Sequence, residues 1–251
     1  MAKDGSSPIL RINNISLGPF ERRVLPWMAR RLPAWVMPDH LTYLGQFAAL
    51  LIGFSYWLTH YSLDWLWLTN FAFVLHWYGD SLDGTLARVR NIQRERYGFF
   101  VDHYSDAVAV FLICMGMGVS PIMDLRVALM LIVGYYAMMM LVYLVSLARD
   151  VFKISFGGFG PTEVRLATII ANIVVWSLHN PTVITIDGVP LTLFSVFGLA
   201  VFGVLGVFYV IFGTIEQRKL ARLDPTPDQG ASPRSETMVS IPAPSRGVNR
   251  S

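Results

Sequence analysis

Asp80, Asp83, Gly84 and Ala87 stand at i, i+3, i+4 and i+7, so a helix through them sets two carboxylates and two small residues on one stripe. Asp102 and Asp106 are one helical turn apart, and Gly98 lies one turn before them. Two helices joined by the short loop Val89–Tyr97 have to be neighbours. Their four carboxylates can then converge on an all-oxygen cluster suited to one or two hard divalent cations, Mg2+ or Mn2+. Such a cluster grips a diphosphate well: it screens the charge, polarises phosphorus and steadies a leaving phosphate during in-line displacement. Gly84, Ala87 and Gly98 leave room for a flat base or the diphosphate against the backbone. Arg88 stands where it can meet a phosphate oxygen or a neighbouring carboxylate.

The elements that must position these residues are membrane helices. Of the 251 residues, 54% are hydrophobic and only 15% charged, a balance too apolar for an ordinary soluble domain. The fold class expected is all-α: an integral membrane bundle of six transmembrane helices at about 41–60, 65–88, 99–119, 125–149, 162–180 and 191–216. Before it, residues 1–40 form a cytoplasmic segment in which Phe20–Val36 mixes arginines with Leu25, Trp27 and Trp35. That stretch reads either as an interfacial amphipathic helix interrupted at Pro26 and Pro33 or as a plain basic flank of the first span. The membrane domain covers 41–218, and 219–251, rich in Pro, Ser, Asp and Arg, reads as a disordered cytoplasmic tail. Of 20 Lys and Arg residues, Arg126 alone lies in the connections after the first, third and fifth helices. The positive-inside tendency therefore places both termini, and the ends of helices two and three that carry the aspartates, in the cytoplasm. A basic face toward anionic headgroups follows, while so apolar a chain offers no platform for nucleic acid. The single cysteine, Cys114, excludes a disulfide framework and a thiolate metal cluster.

A carboxylate inside a span costs about 2.5–3.5 kcal/mol even on the lenient insertion scale, so four of them need a neutralising partner. One candidate is a structural network in which Arg88 or Arg90 pairs with the aspartates. The other is bound metal. The run Asp80 to Asp106 resembles the signature of the CDP-alcohol phosphotransferases, which reads Asp, two residues, Asp-Gly, two residues, Ala-Arg, a spacer, Gly, three residues, Asp, three residues, Asp. Every fixed position is filled, and the spacer has nine residues where eight are usual. The resemblance implies a six-helix homodimer that binds two divalent cations and holds a cytidine nucleotide at the cytoplasmic end of helices two and three. It makes Asp80, Asp83 and Asp102 metal ligands, Gly84, Ala87 and Gly98 the lining of the nucleotide site, and Asp106 both a ligand and the general base. The expected reaction moves a substituted phosphate from a CDP-linked donor to an alcohol and releases CMP, making a phospholipid at the cytoplasmic face, the inner membrane in a bacterium.

Weaker signals bear on the substrate. Pro38-Asp39-His40-Leu41-Thr42 resembles the family's Pro-Asn-x-x-Thr entry to the first span, with Asp39 in place of Asn and expected as an N-cap. Arg149 and Arg165 are candidates for an acceptor phosphate, which favours CDP-diacylglycerol as donor. Gly160-Pro161-Thr162-Glu163 instead resembles the eukaryotic ethanolamine and choline phosphotransferases, which use CDP-ethanolamine or CDP-choline with diacylglycerol. His76 and His103 border the cluster and read as hydrogen-bonded filler, since an oxygen cage already suits the metal. Two other classes compete: a membrane cation transporter, in which the aspartates form an ion site, and a non-catalytic lipid-binding scaffold.

Overall fold

The computed structural model describes residues 17–149, 160–186 and 188–224. The polar lead before residue 17, Asp150, Lys153, the side chain of Arg149 and the tail from 225 onward lie outside the described residues. Among the described residues seven helices follow one another: α1 Gly18–Arg31, α2 Pro38–Leu58, α3 Trp65–Arg90, α4 Glu95–Gly118, α5 Leu125–Arg149, α6 Pro161–Leu178 and α7 Leu193–Leu223. The last six lie where six helices were expected. The final helix continues to Leu223, so the first residues of the expected tail are helical. Between α6 and α7 lies an element that the all-α expectation lacks, an antiparallel hairpin of β1 Thr182–Ile186 and β2 Val189–Thr192. Gly188 supplies the positive φ of 78° at its turn.

α2, α4, α5 and α7 are long and apolar enough to cross a bilayer, which marks the chain as a membrane protein. α3 and α6 carry more polar residues. α2 packs between α3 and α4, α5 joins α4 to α7, and α6 joins α7 to α3, so the six close into a ring. The tightest contacts are glycine against backbone. A Cβ on Gly79 would lie 2.6 Å from both Gly45 N and Leu41 O, and one on Gly116 would collide with the backbone of Gly53. These two sites seat α2 directly on α3 and on α4. Gly118 and Gly198 are also packed, but Gly203, Gly206 and Gly213 face open space within this chain.

Inside the ring, Tyr56, Phe73, Ile122, Val175 and Phe194 form an apolar core. A short polar layer crosses it: Tyr56 donates to Asn172 Oδ1 at 3.0 Å, and Asn172 donates to Asn70 Oδ1 at 2.8 Å. α2, α3 and α6 are tied at that level.

α1 runs through Pro26 and ends at Arg31, before Pro33. Its Leu25 and Ala29, one turn apart, are buried against Leu82 and Leu86 of α3. Arg22, Arg23, Arg30 and Arg31 stay exposed, with Arg31 stacked 3.8 Å over Trp27. Arg90 holds the α1–α2 linker, donating to the carbonyls of Leu32, Pro33, Ala34 and Val36 at 2.5–3.3 Å. The first turn of α2 corrects the capping expectation. Met37 is the N-cap, and Asp39 sits inside the helix, where both its oxygens accept from Arg94 Nη2 at 2.7 Å. Arg94 also lies over the Tyr97 ring, and the bond to Asp39 holds its guanidinium above the ordinary value.

Candidate active site

Asp80, Asp83, Asp102 and Ser105 line one small cavity together with Thr42, Gly45, Gln46 and His76. Three helices build it. α3 supplies Asp80 and Asp83 one turn apart, α4 supplies Asp102 and Ser105, and α2 supplies the small and polar residues between them. The Gly45–Gly79 contact makes this possible, because it brings the polar face of α2 within hydrogen-bond reach of the others. Thr42 Oγ1 donates to Asp83 Oδ2 at 2.7 Å, and Gln46 Nε2 donates to Ser105 O at 2.9 Å. Neither Thr42 nor Gln46 carries a charge, so spacing alone gave little reason to select them. The match of Thr42 to the entry motif of the first span was the one signal available.

Asp106 lies one turn farther along α4, half-buried and within electrostatic reach of Asp80, Asp83 and Asp102. Arg165 enters from α6. Its Nη2 donates to Asp80 Oδ2 at 2.6 Å, and the two side chains are 12% and 22% exposed. The positive charge thus arrives from a helix remote in sequence, while Arg90 is turned to the linker carbonyls. Arg88 donates to Thr85 Oγ1 at 3.0 Å.

The residues expected to bind nucleotide flank the cavity without lining it. Gly84 and Ala87 continue the Asp80–Asp83 stripe toward the C-terminal end of α3, where a Cβ on Gly84 would meet the Arg88 guanidinium at 3.4 Å. Gly98 is exposed one turn before Asp102, with open space around it. His103 points its Nδ1 to Phe99 O at 2.6 Å and packs on Tyr143.

The same end of the ring holds α1. Glu21 accepts from Trp77 Nε1 at 3.0 Å and from Thr162 Oγ1 at 2.7 Å. Glu163 accepts from Gly160 N at 3.0 Å, closing the first turn of α6, and from Leu17 N at 2.9 Å. Pro161 opens that helix as its sequence implies. The arrangement is a polar chamber at one end of the ring, floored by carboxylates and bordered by small residues and arginines.

Among the described residues no three His, Cys, Asp or Glu side chains already close into a metal cage. Asp80 faces Arg165 and Asp83 faces Thr42 instead. The donor set itself is carboxylate oxygen from four aspartates, with the Arg165 guanidinium on Asp80, and carboxylate oxygen is the chemistry a hard divalent cation needs.

A family model described as CDP-alcohol phosphatidyltransferase matches residues 35–214. The match takes in α2 to α6 and most of α7 and leaves out α1. No curated protein matches the chain.

Proposed function

Because the chain belongs to the CDP-alcohol phosphatidyltransferase family, whose members transfer phosphate-containing groups, we propose that it moves a substituted phosphate from CDP-diacylglycerol to an alcohol hydroxyl and releases CMP. The observation that carries this reading is the shared cavity: Asp80 and Asp83 from α3 and Asp102 from α4 border one space, with Asp106 a turn away. In this reading all six helices α2–α7 cross the membrane, both termini are cytoplasmic, and the chamber opens to the cytosol. α1 lies at the membrane surface with its arginines toward lipid phosphates, and two copies pair as a homodimer.

Asp80, Asp83, Asp102 and Asp106 hold two divalent cations, Mg2+ or Mn2+. When bound, these supply charge neutralisation at the diphosphate and at the leaving phosphate. The chain does the rest. Gly84, Ala87 and Gly98 let the nucleotide lie against backbone, and Arg88 offers a charge-assisted hydrogen bond to it. Asp106 takes the proton of the acceptor hydroxyl as that oxygen attacks the phosphorus distal to cytidine. A new P–O bond forms, the P–O bond to CMP breaks, and CMP departs with the electron pair. Arg165 uses part of a five-donor fork on Asp80, so it retains donors for a phosphate on the acceptor. Arg149 is the second candidate for that role.

A second donor class is favoured by Gly160-Pro161-Thr162-Glu163: CDP-ethanolamine or CDP-choline, with diacylglycerol as acceptor. The test is release of CMP by the purified chain, supplied with each labelled donor and acceptor, with Mg2+, Mn2+ or EDTA. The donor that yields CMP names the class. Asp106→Asn is expected to slow release by about 10²-fold or more while the protein remains folded. Absence of release with every CDP donor contradicts both readings, and undiminished release by the variant removes the base assignment. A cation transporter would instead carry ions into liposomes regardless of nucleotide.

A further inference from the structure

One lining group of the cavity has no use in the chemistry above. His76 stands one helical turn before Asp80 on α3 and is 3% exposed. Its Nδ1 is the one buried side-chain nitrogen or oxygen, among the described residues, with no hydrogen-bond partner. A histidine in a helix has an easy remedy, a carbonyl one turn back. His103 takes it from Phe99. His76 does not, although buried polar atoms are paired in the great majority of cases and an orphan calls for a bound water or ion.

The neighbours in the cavity do not supply the partner. Thr42 is engaged by Asp83, Gln46 by the Ser105 carbonyl, and Asp80 by Arg165. The space that the ring lines is about large enough for one water. Such a water would touch the imidazole on one side and the carboxylates of Asp80, Asp83 and Asp102 on the other.

We propose that His76 is a positioning residue for the divalent-cation site, its Nδ1 hydrogen-bonding a water that the ion carries between Asp80, Asp83 and Asp102. This rests on the reading of those aspartates as cation ligands. Partners of this outer kind orient what the ligands hold, and their loss typically weakens metal binding 10- to 100-fold. The hydrogen bond works with either ring tautomer, because a water both donates and accepts.

The test is binding of Mn2+ alone to the full chain in detergent, followed by the electron paramagnetic resonance signal of free Mn2+. His76→Ala is expected to raise the Kd for Mn2+ by about 10- to 100-fold. His76→Asn carries a polar group near the position of Nδ1 and is expected to recover most of that loss. Asp83→Asn serves as the reference for a lost ligand. If wild type binds no Mn2+, the cation-site reading itself falls. If wild type binds and Asp83→Asn does not, but His76→Ala matches wild type, the His76 proposal alone is overturned. It is equally overturned if His76→Asn binds as poorly as His76→Ala, or if His76→Ala changes only the KM for the acceptor alcohol, which would make the water's place a substrate site. Should His76→Ala fail to fold, the Asn variant against wild type decides: affinity near wild type supports the proposal, and a loss equal to that of Asp83→Asn rejects it.

Discussion

In the proposed reading, Arg165 and a divalent cation answer the same need at Asp80. The Arg165 guanidinium supplies a counter-charge at 2.6 Å, and removing one partner of a largely buried pair costs up to about 3–5 kcal/mol. Arg165→Met should therefore lower the thermal midpoint of the protein in EDTA, and added Mg2+ should restore more stability to this variant than to wild type. Thermal unfolding in detergent, with and without Mg2+, measures both quantities. An equal Mg2+ effect in the two proteins would mean that ion and arginine act at separate places. The aspartates were legible because helical spacing alone puts Asp80 with Asp83, and Asp102 with Asp106. Their partner was not. Arg165 is 85 residues from Asp80, and the sequence showed only that a cation inside a span needs some anionic companion. Arg90, next to the signature, looked better placed but is drawn away by the carbonyls of the α1–α2 linker. His76 was read as satisfied filler, and that expectation fails at Nδ1, whose lack of a partner depends on how three helices meet.

Helix positions were readable because α2, α4, α5 and α7 are long apolar runs, whereas the packing faces were not, because a helix apolar on every side does not mark the face it packs. The glycines of these helices show this. Gly116, Gly118 and Gly198 are packed, and Gly203, Gly206 and Gly213 on α7 are not, while Gly45, Gly53 and Gly79 form the closest approaches. Gly79→Ala would force α2 from α3 against backbone atoms that cannot turn aside. The expected loss is about 1–3 kcal/mol, together with slower CMP release as Thr42 is displaced from Asp83. Gly203→Ala meets nothing within 4 Å and serves as the control, with an unchanged midpoint. An unaltered Gly79→Ala protein would show that the α2–α3 contact does not set the chamber. The β1–β2 hairpin was missed for a related reason: Thr182-Val-Ile-Thr-Ile is β-branched throughout, but two short strands between two strong helical runs carry little weight against them. α1 was anticipated either as an amphipathic helix on the membrane surface or as a plain basic flank of the first span. Its apolar stripe covers Leu82 and Leu86 of α3, which leaves the arginine face with Trp27 and Phe20 exposed.

At the scale of the whole molecule the two ends of the ring differ in kind. One gathers α1, the α3–α4 loop, Arg94 and Gly160. The opposite end gathers Trp57, Trp65, Trp67 and Trp176 with the hairpin, and aromatic residues of this type favour the membrane–water boundary. There Trp176 Nε1 donates to Asp64 Oδ1 at 2.9 Å, a bond that holds the carboxyl below its usual range. The stabilisation it gives is present at neutral pH and lost as the pH falls through that lowered value. The proposed orientation rests on the basic end. With Cys114 replaced by Ala, a cysteine at Asn91 should react with a membrane-impermeant thiol reagent from the cytoplasmic side only, and one at Gly188 from the other side only. The reverse pattern would invert the topology. The central claim, that carboxylates of α3 and α4 grip a diphosphate through divalent ions, is tested most directly by titrating CDP itself into the purified protein by calorimetry. Binding is expected with Mg2+ or Mn2+, and neither in EDTA nor in the double variant Asp83→Asn with Asp102→Asn. Equal binding of CDP in EDTA, or undiminished binding by the double variant, would contradict it.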